Sequence, residues 1–198
     1  LKLKLLIDNF PKLQVVATGS SSFELAEKVT EPLTGRNIKF HLYPISISEL
    51  TQVYDHLEID RQLENLLLYG SYPEVVTLTS LEEKEAAVKR LSGDNLYKDI
   101  LKVNGLKNEE TIKKILEALA LQIGSEVFYE EVGNLAGVSK HTAQLYIEIL
   151  EKAFIIFRLP PLSRNLRKEI SKSKKVYFYD TGVRNALINN FNPMSLRS

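Results

Sequence analysis

The sequence predicts an α/β chain that becomes mainly α-helical, and three stretches carry that prediction. Leu13 to Arg36, followed by Ile38 to Tyr43, reads as strand, helix, strand, the edge of a parallel βαβ sheet. Apolar residues then recur at helical spacing between Asp60 and Ile123. Last, two helices around Gly137-Val138-Ser139 lead into two strands, the order of a winged helix-turn-helix.

Each element has a local reason. Leu1 to Asn9 reads as a short helix, ended by Pro11 and the restriction it places on Phe10. Leu13 to Ala17 is a short apolar run suited to a buried strand. Ser21 and Glu24 form a capping box, so a helix starts near Ser22 and runs to about Val29. The hydroxyls of residues 18–22 then lie at the C-terminal end of a strand, where open α/β sheets bind ligands. An ordinary turn whose serines only cap is the plainer reading of the pattern alone. Pro32 to Gly35 is a loop, and Ile38 to Tyr43 is the second strand, stopped by Pro44.

Ser46 and Glu49 make a second capping box. From Asp60, Leu63, Leu66 and Leu67 share one helix face until Gly70 and Tyr72-Pro73 break it. Leu81 to about Ile100 is charged and helical, weakened at Ser92-Gly93. Glu109 to Ile123 carries a clean apolar stripe, with Gly124 as its stop. Glu130 to Ala136 is the first helix of the helix-turn-helix, and Ser139 caps the second. Ala143, Tyr146, Ile147 and Leu150 form its buried face. Phe154 to Leu159 and Val176 to Tyr179 are the wing strands. Asp180 caps a last helix through Ile188, and Asn189 to Ser198 reads as a frayed polar tail.

Composition narrows the chemistry. Hydrophobic residues make up 44% and charged residues 26% of 198 residues, ordinary globular values. There is no cysteine, which excludes disulfides and thiolate metal sites and fits a reducing, cytoplasmic setting. His41, His56 and His141 share no ligand spacing, so no metal site is expected. No run is long enough for a membrane span. The chain opens on Leu inside an apolar pattern, which predicts a piece of a longer protein.

Charge is uneven. Residues 158–175 hold seven basic side chains against one acid, Glu169, a net +6 within a chain of +1, leaving −5 on the rest. The second helix of the helix-turn-helix offers Lys140, His141 and Gln144, then Glu148 and Glu151, a poor reader of bases. Arg164, Arg167, Lys168, Lys172, Lys174 and Lys175 in the wing are better suited to phosphates. A packing module with a solvated loop accounts for the same residues.

No catalytic constellation is complete. GxxxxGK[ST] is absent, as are a strand ending in paired acids for Mg²⁺ and a Ser-His-acid set. Arg36, where the second strand begins, has the fork geometry for a phosphate, and a solvated surface arginine is the plainer reading.

Taken jointly, ATGSSS, LTGR, FHLYPISISEL, LLLYGSYPEVV, YKDIL, GVSKHTAQLYIEILEKAFIIFRLPP and SKSKKVYFYDTG are similar to a known family. The chain resembles prokaryotic AAA-type (AAA+ superfamily) ATPases with a C-terminal winged-helix and nuclease-like module of unknown function. The resemblance implies a remnant of the nucleotide-binding core at 1–45 and a helical lid and linker at 46–124. A winged helix and the start of the nuclease-like module would follow at 125–188, then a tail at 189–198. It casts Ser20 and Ser21 as polar sensors of the γ-phosphate, Arg36 as the arginine near the nucleotide, and Asp180 as a remnant of the nuclease-like site.

The full family would use ATP and Mg²⁺, whereas this stretch lacks the Walker A and Walker B motifs and is expected to hold no cofactor and hydrolyse nothing alone. The expected role is that of part of an ATP-driven switch. A DNA-binding module with a basic wing and a protein-interaction scaffold are the alternatives. Expected partners are ATP in the full protein, DNA and a second copy of the chain, with no membrane.

Overall fold

The computed structural model describes residues 2–10, 12–18, 38, 40–95, 108–162 and 174–197. The chain divides into two units, Leu1–Leu42 and Tyr43–Ser198.

In the first unit, α1 (Lys2–Asn9) forms where the apolar spacing places it. The Phe10 N–H still donates to the Leu6 carbonyl at 2.9 Å before the chain turns. The two strands expected here do not form among the described residues. Residues 13–18 and 40–43 carry no strand pairing, Val16 is 87% exposed and Leu42 98%. An apolar run becomes a parallel strand only when neighbours take up its N–H and C=O groups. Among the described residues the Leu13 N–H turns back to the Phe10 carbonyl at 2.9 Å instead, and the expected parallel βαβ sheet is not present there. The expected helix from Ser22 to Val29 lies outside the described residues, as do Ser20, Ser21 and Arg36.

The second unit is mostly helical with one small antiparallel sheet. Ser46 caps α2 (Ile47–Leu50) through a reciprocal capping box with Glu49. α3 (His56–Tyr69) starts four residues before Asp60, because Asp55 accepts the Glu58 N–H at 2.8 Å. Gly70, at φ 81°, ends it. Pro73 starts a helix instead of only breaking one: it occupies the first turn of α4 (Pro73–Thr77), where its missing N–H costs nothing. α5 (Leu81–Arg90) is capped by Ser80, and the helical stretch expected to run to about Ile100 leaves the described residues after Asn95. Leu91–Asn95 follows as a kinked stretch in which Gly93 leaves helical geometry.

α6 (Glu109–Leu121) supplies the densest part of the core. Ile112, Ile115, Leu116 and Leu119 are fully buried. Truncating one such side chain costs about 2–5 kcal/mol. α7 (Tyr129–Ala136) packs on α6 and on α8 (Lys140–Lys152), making three mutually packed helices. β1 (Ile156–Leu159) and β2 (Lys175–Phe178) then pair antiparallel, Phe157 opposite Tyr177 and Leu159 opposite Lys175. Glu126 bridges to Lys175, and the Gly124 N–H donates to the Val176 carbonyl at 3.0 Å, tying the end of α6 to the ribbon.

α9 (Thr181–Leu187) packs on α3, α5 and α6. The segment after it is held, contrary to the frayed tail expected. The Arg197 guanidinium donates to the Asn190 and Asn192 carbonyls and to Asn185 Oδ1, and Phe191 stacks on Tyr69 at 5.5 Å. No helix among the described residues is long and apolar enough to cross a membrane.

Candidate functional site

The helix-turn-helix and its ribbon are the first place to look, because they hold most of the described site candidates. Gly137 sits in the left-handed region at φ 71°, ψ 32°, which reverses the chain after α7 at no steric cost. The Val138 N–H donates back to the Gly133 carbonyl at 2.8 Å. Ser139 Oγ then accepts the Thr142 N–H at 3.1 Å and starts α8. Ala143, Tyr146, Ile147 and Leu150 are all buried, as their spacing requires.

That leaves Lys140 and His141 exposed in the first turn of α8. Gln144 is less available: its amide donates to Glu148 Oε1 at 3.0 Å. Leu145 is 51% exposed. The outer side of α8 therefore offers a lysine, an imidazole, an amide already tied to a carboxylate, and an apolar side chain.

Lys174 and Lys175 are exposed where the ribbon begins its second strand. Arg164, Arg167, Lys168 and Lys172 lie outside the described residues. Arg158 belongs to the basic segment by sequence, but its charge is spent inside the fold. Its Nε donates to Glu151 Oε2 at 2.8 Å, a second guanidinium nitrogen pairs with the same oxygen, and Nη1 donates to the Tyr129 hydroxyl at 2.6 Å. Burial weakens the Arg158 cation, yet hydrogen bonding to Glu151, with Tyr129 beside it, outweighs that and holds its pKa above the ordinary value. One residue each from α7, α8 and β1 is thereby joined.

The ribbon has a feature the sequence reading missed. Val176 and Phe178 face the core, so Tyr177 and Tyr179 turn outward with Lys175. Phe157 stacks on Tyr177 at 5.5 Å and meets Tyr179 at 5.1 Å. Tyr43 stacks on Tyr179 at 5.1 Å and is 50% exposed. Period-two alternation of aromatics at 177 and 179 was the signal that could have found this row.

Asp180 is 5% exposed and carries a different kind of duty. Its Oδ2 accepts the Ser71 N–H at 2.7 Å and its Oδ1 accepts the Val183 N–H at 2.9 Å. Burial pushes the Asp180 carboxyl above the usual carboxylate range, against the pull of these donors. Both oxygens are thus engaged by backbone, one capping α9 and the other holding the turn after α3. No group of three or more His, Asp or Glu residues placed to hold a metal ion occurs among the described residues.

Around Asp180, two chain segments cap each other. The Thr181 hydroxyl donates to the Leu66 carbonyl, and the Asn185 amide donates to Leu67 and Leu68. Leu67 and Leu68 lie in the last turn of α3, where carbonyls lack a helical partner, and the Leu66 carbonyl accepts the Gly70 N–H as well. Arg184 donates to the Ala120 carbonyl at 2.8 Å, adding the end of α6.

Two family models match the chain. One, described as an AAA domain, covers residues 1–51 and relates that stretch to AAA-type ATPases. The other covers residues 60–194. An uncharacterized protein of Methanocaldococcus jannaschii is 24% identical over 176 residues, which are 81% of this chain and 40% of that protein. An uncharacterized protein of Haemophilus influenzae is 24% identical over 179 residues, 86% of this chain and 44% of the relative. A second uncharacterized Methanocaldococcus jannaschii protein is 26% identical, with 87% and 42% covered. The chain spans less than half the length of these curated relatives. No solved structure matches it. Because a single model accounts for the continuous stretch from α3 through the ribbon and α9, the chain belongs to the family described as a domain of unknown function (DUF8612).

Proposed function

We propose that this chain is the part of an AAA-type ATPase that senses bound ATP and passes the signal to a winged helix. The observation that carries this reading is the AAA-domain match over residues 1–51, the stretch that contains Ser20, Ser21 and Arg36. Two hydroxyls and one guanidinium suit sensing, since each can respond to a γ-phosphate oxygen. They do not fit the holding of a triphosphate. That needs a glycine-rich loop, its lysine and Mg²⁺, and the sequence has no GxxxxGK[ST]. No hydrolytic step is assigned to this chain.

The test is to express the segment alone and together with its coding flanks. Mg-ATP should leave the melting temperature of the 198-residue chain unchanged. It should stabilise the longer protein, whose phosphate release should fall in Arg36→Ala. Phosphate release by the short chain, lost in Arg36→Ala, would overturn the reading.

A second reading, a nucleic-acid-binding winged helix, is favoured by the ribbon. Its two strands flank residues 160–174, which hold five basic side chains against one acid, a net +4, and Lys140, His141, Lys174 and Lys175 are exposed. Arg164, Arg167, Lys168 and Lys172 add charge by sequence. Duplex DNA should bind at low salt and dissociate steeply as salt rises. No binding at low salt ends this reading.

A further inference from the structure

We propose that Arg184 and Arg197, brought together on Asn185, form a binding site for a phosphate dianion, either free or as the end of a phosphate monoester. Neither reading above uses these residues.

The site is built on a buried asparagine. Asn185, in α9, is 1% exposed, and its amide donates to the Leu67 and Leu68 carbonyls at 3.0 and 2.8 Å. Those two bonds fix the direction of its Oδ1. Arg184 Nη1 and Arg197 Nη1 both donate to this one oxygen, each at 3.1 Å. Each guanidinium is also anchored elsewhere. Arg184 Nε donates to the Ala120 carbonyl at 2.8 Å. Arg197, which follows the short turn Met194–Leu196, donates to the Asn192 and Asn190 carbonyls at 2.9 and 2.7 Å. Two cations are thus held side by side in fixed orientation, and both are half-buried.

Among the described residues no carboxylate balances them, and neither arginine enters an ion pair. Glu64 on α3 instead accepts the Met194 N–H at 2.9 Å. Burial, then the neighbouring Arg197 charge, holds the Arg184 pKa below its ordinary value. A cation at the end of α6 is explained by the open carbonyls there. A second cation beside it is not. A guanidinium has five N–H groups, of which Arg184 uses two here and Arg197 three. The others find no acceptor among the described residues.

Charge and shape choose the ligand. A phosphate monoester carries about −1.5 to −2 at neutral pH, which balances two guanidiniums. Its tetrahedral oxygens accept donors from both forks at once. A carboxylate or a phosphodiester brings a single charge and leaves one cation unbalanced. In Mg-ATP the metal already neutralises the terminal phosphates, so this site is compatible with a melting temperature that Mg-ATP leaves unchanged.

The experiment titrates the 198-residue chain with inorganic phosphate at constant ionic strength and follows the sequentially assigned arginine Nε–H resonances by NMR. Those of Arg184 and Arg197 should shift together along one saturating curve at millimolar phosphate. Arg184→Gln and Arg197→Gln should each weaken phosphate about tenfold. Thermal melting reports whether each variant folds. Where a Gln variant unfolds, the Lys variant, which keeps the charge and loses the fork, should still weaken binding. Acetate and dimethyl phosphate should bind at least about tenfold more weakly than phosphate. Ribose 5-phosphate binding more tightly than phosphate makes the ligand a monoester, and equal binding makes it the free ion. No saturating shift at Arg184 and Arg197 overturns the site, as does a shift shared by all arginines. Acetate or dimethyl phosphate as effective as phosphate also overturns it.

Discussion

Ser71 donates its backbone N–H to the Asp180 carboxylate at 2.7 Å, across 109 residues of chain. The contact joins the turn after α3 to the start of α9. It is possible because both segments carry glycine where they meet. A Cβ on Gly70 would lie 2.0 Å from Asp180 Oδ1, and one on Gly182 would lie 2.0 Å from the Tyr69 carbonyl oxygen. YGSYP and DTG are thus two halves of one structural clasp, although each reads in the sequence as a separate local signal.

Asp180→Ala should lower stability by about 2–3 kcal/mol, because a cap is lost and the Ser71 and Val183 N–H groups are left without an acceptor. Asp180→Asn should cost less, since one oxygen remains. Urea unfolding of the two variants ranks them. Equal stability of Asp180→Ala and wild type would mean the clasp is replaced by water.

Two glycine substitutions should separate steric from conformational cost. Gly182→Ala places a methyl group inside the Tyr69 carbonyl and should cost about 3 kcal/mol by forcing α9 away from α3. At Gly137 an added Cβ meets nothing within 4 Å, so Gly137→Ala pays only for the left-handed backbone, about 1 kcal/mol. Thermal denaturation of both, in one buffer, checks the order.

Glu151→Gln should cost about 1–2 kcal/mol, the pair being partly screened by solvent. Arg158 would be left largely buried without its carboxylate. Combining Glu151→Gln with Arg158→Ala should cost less than the sum of the single changes, as a double-mutant cycle would measure. Strict additivity would show that the pair contributes nothing.

Alkaline pH should weaken the fold. Burial, aided by the neighbouring Asp180 charge, raises the Tyr72 hydroxyl pKa, and burial is the leading cause of the same shift at Tyr69 and Tyr179. A tyrosine whose folded pKa exceeds its unfolded value of about 10 keeps its full contribution below that pH. The contribution is lost as pH climbs toward the folded value. The urea midpoint of wild type should therefore fall above pH of about 10, and that of Tyr72→Phe should fall less. A parallel decline in both would assign the effect to other groups.

Local signals alone determined much of this chain. Ser46 with Glu49, Gly137, Ser139 and Asp180 act through bonds to residues a few positions away, so their roles are readable without a fold. The stripes of α6 and α8 likewise mark their buried faces, because burial follows the helix period. Tertiary structure decided what depends on a distant partner. It withheld strand pairing from Leu13–Ala17, took Arg158 out of the basic segment 158–175 by giving it Glu151, and aligned Phe157 with Tyr177 and Tyr179. It also locked Ser71 to Asp180. A hydrogen bond or stacked pair between residues far apart in sequence leaves no period or spacing in the chain, and only the folded path brings its two ends together.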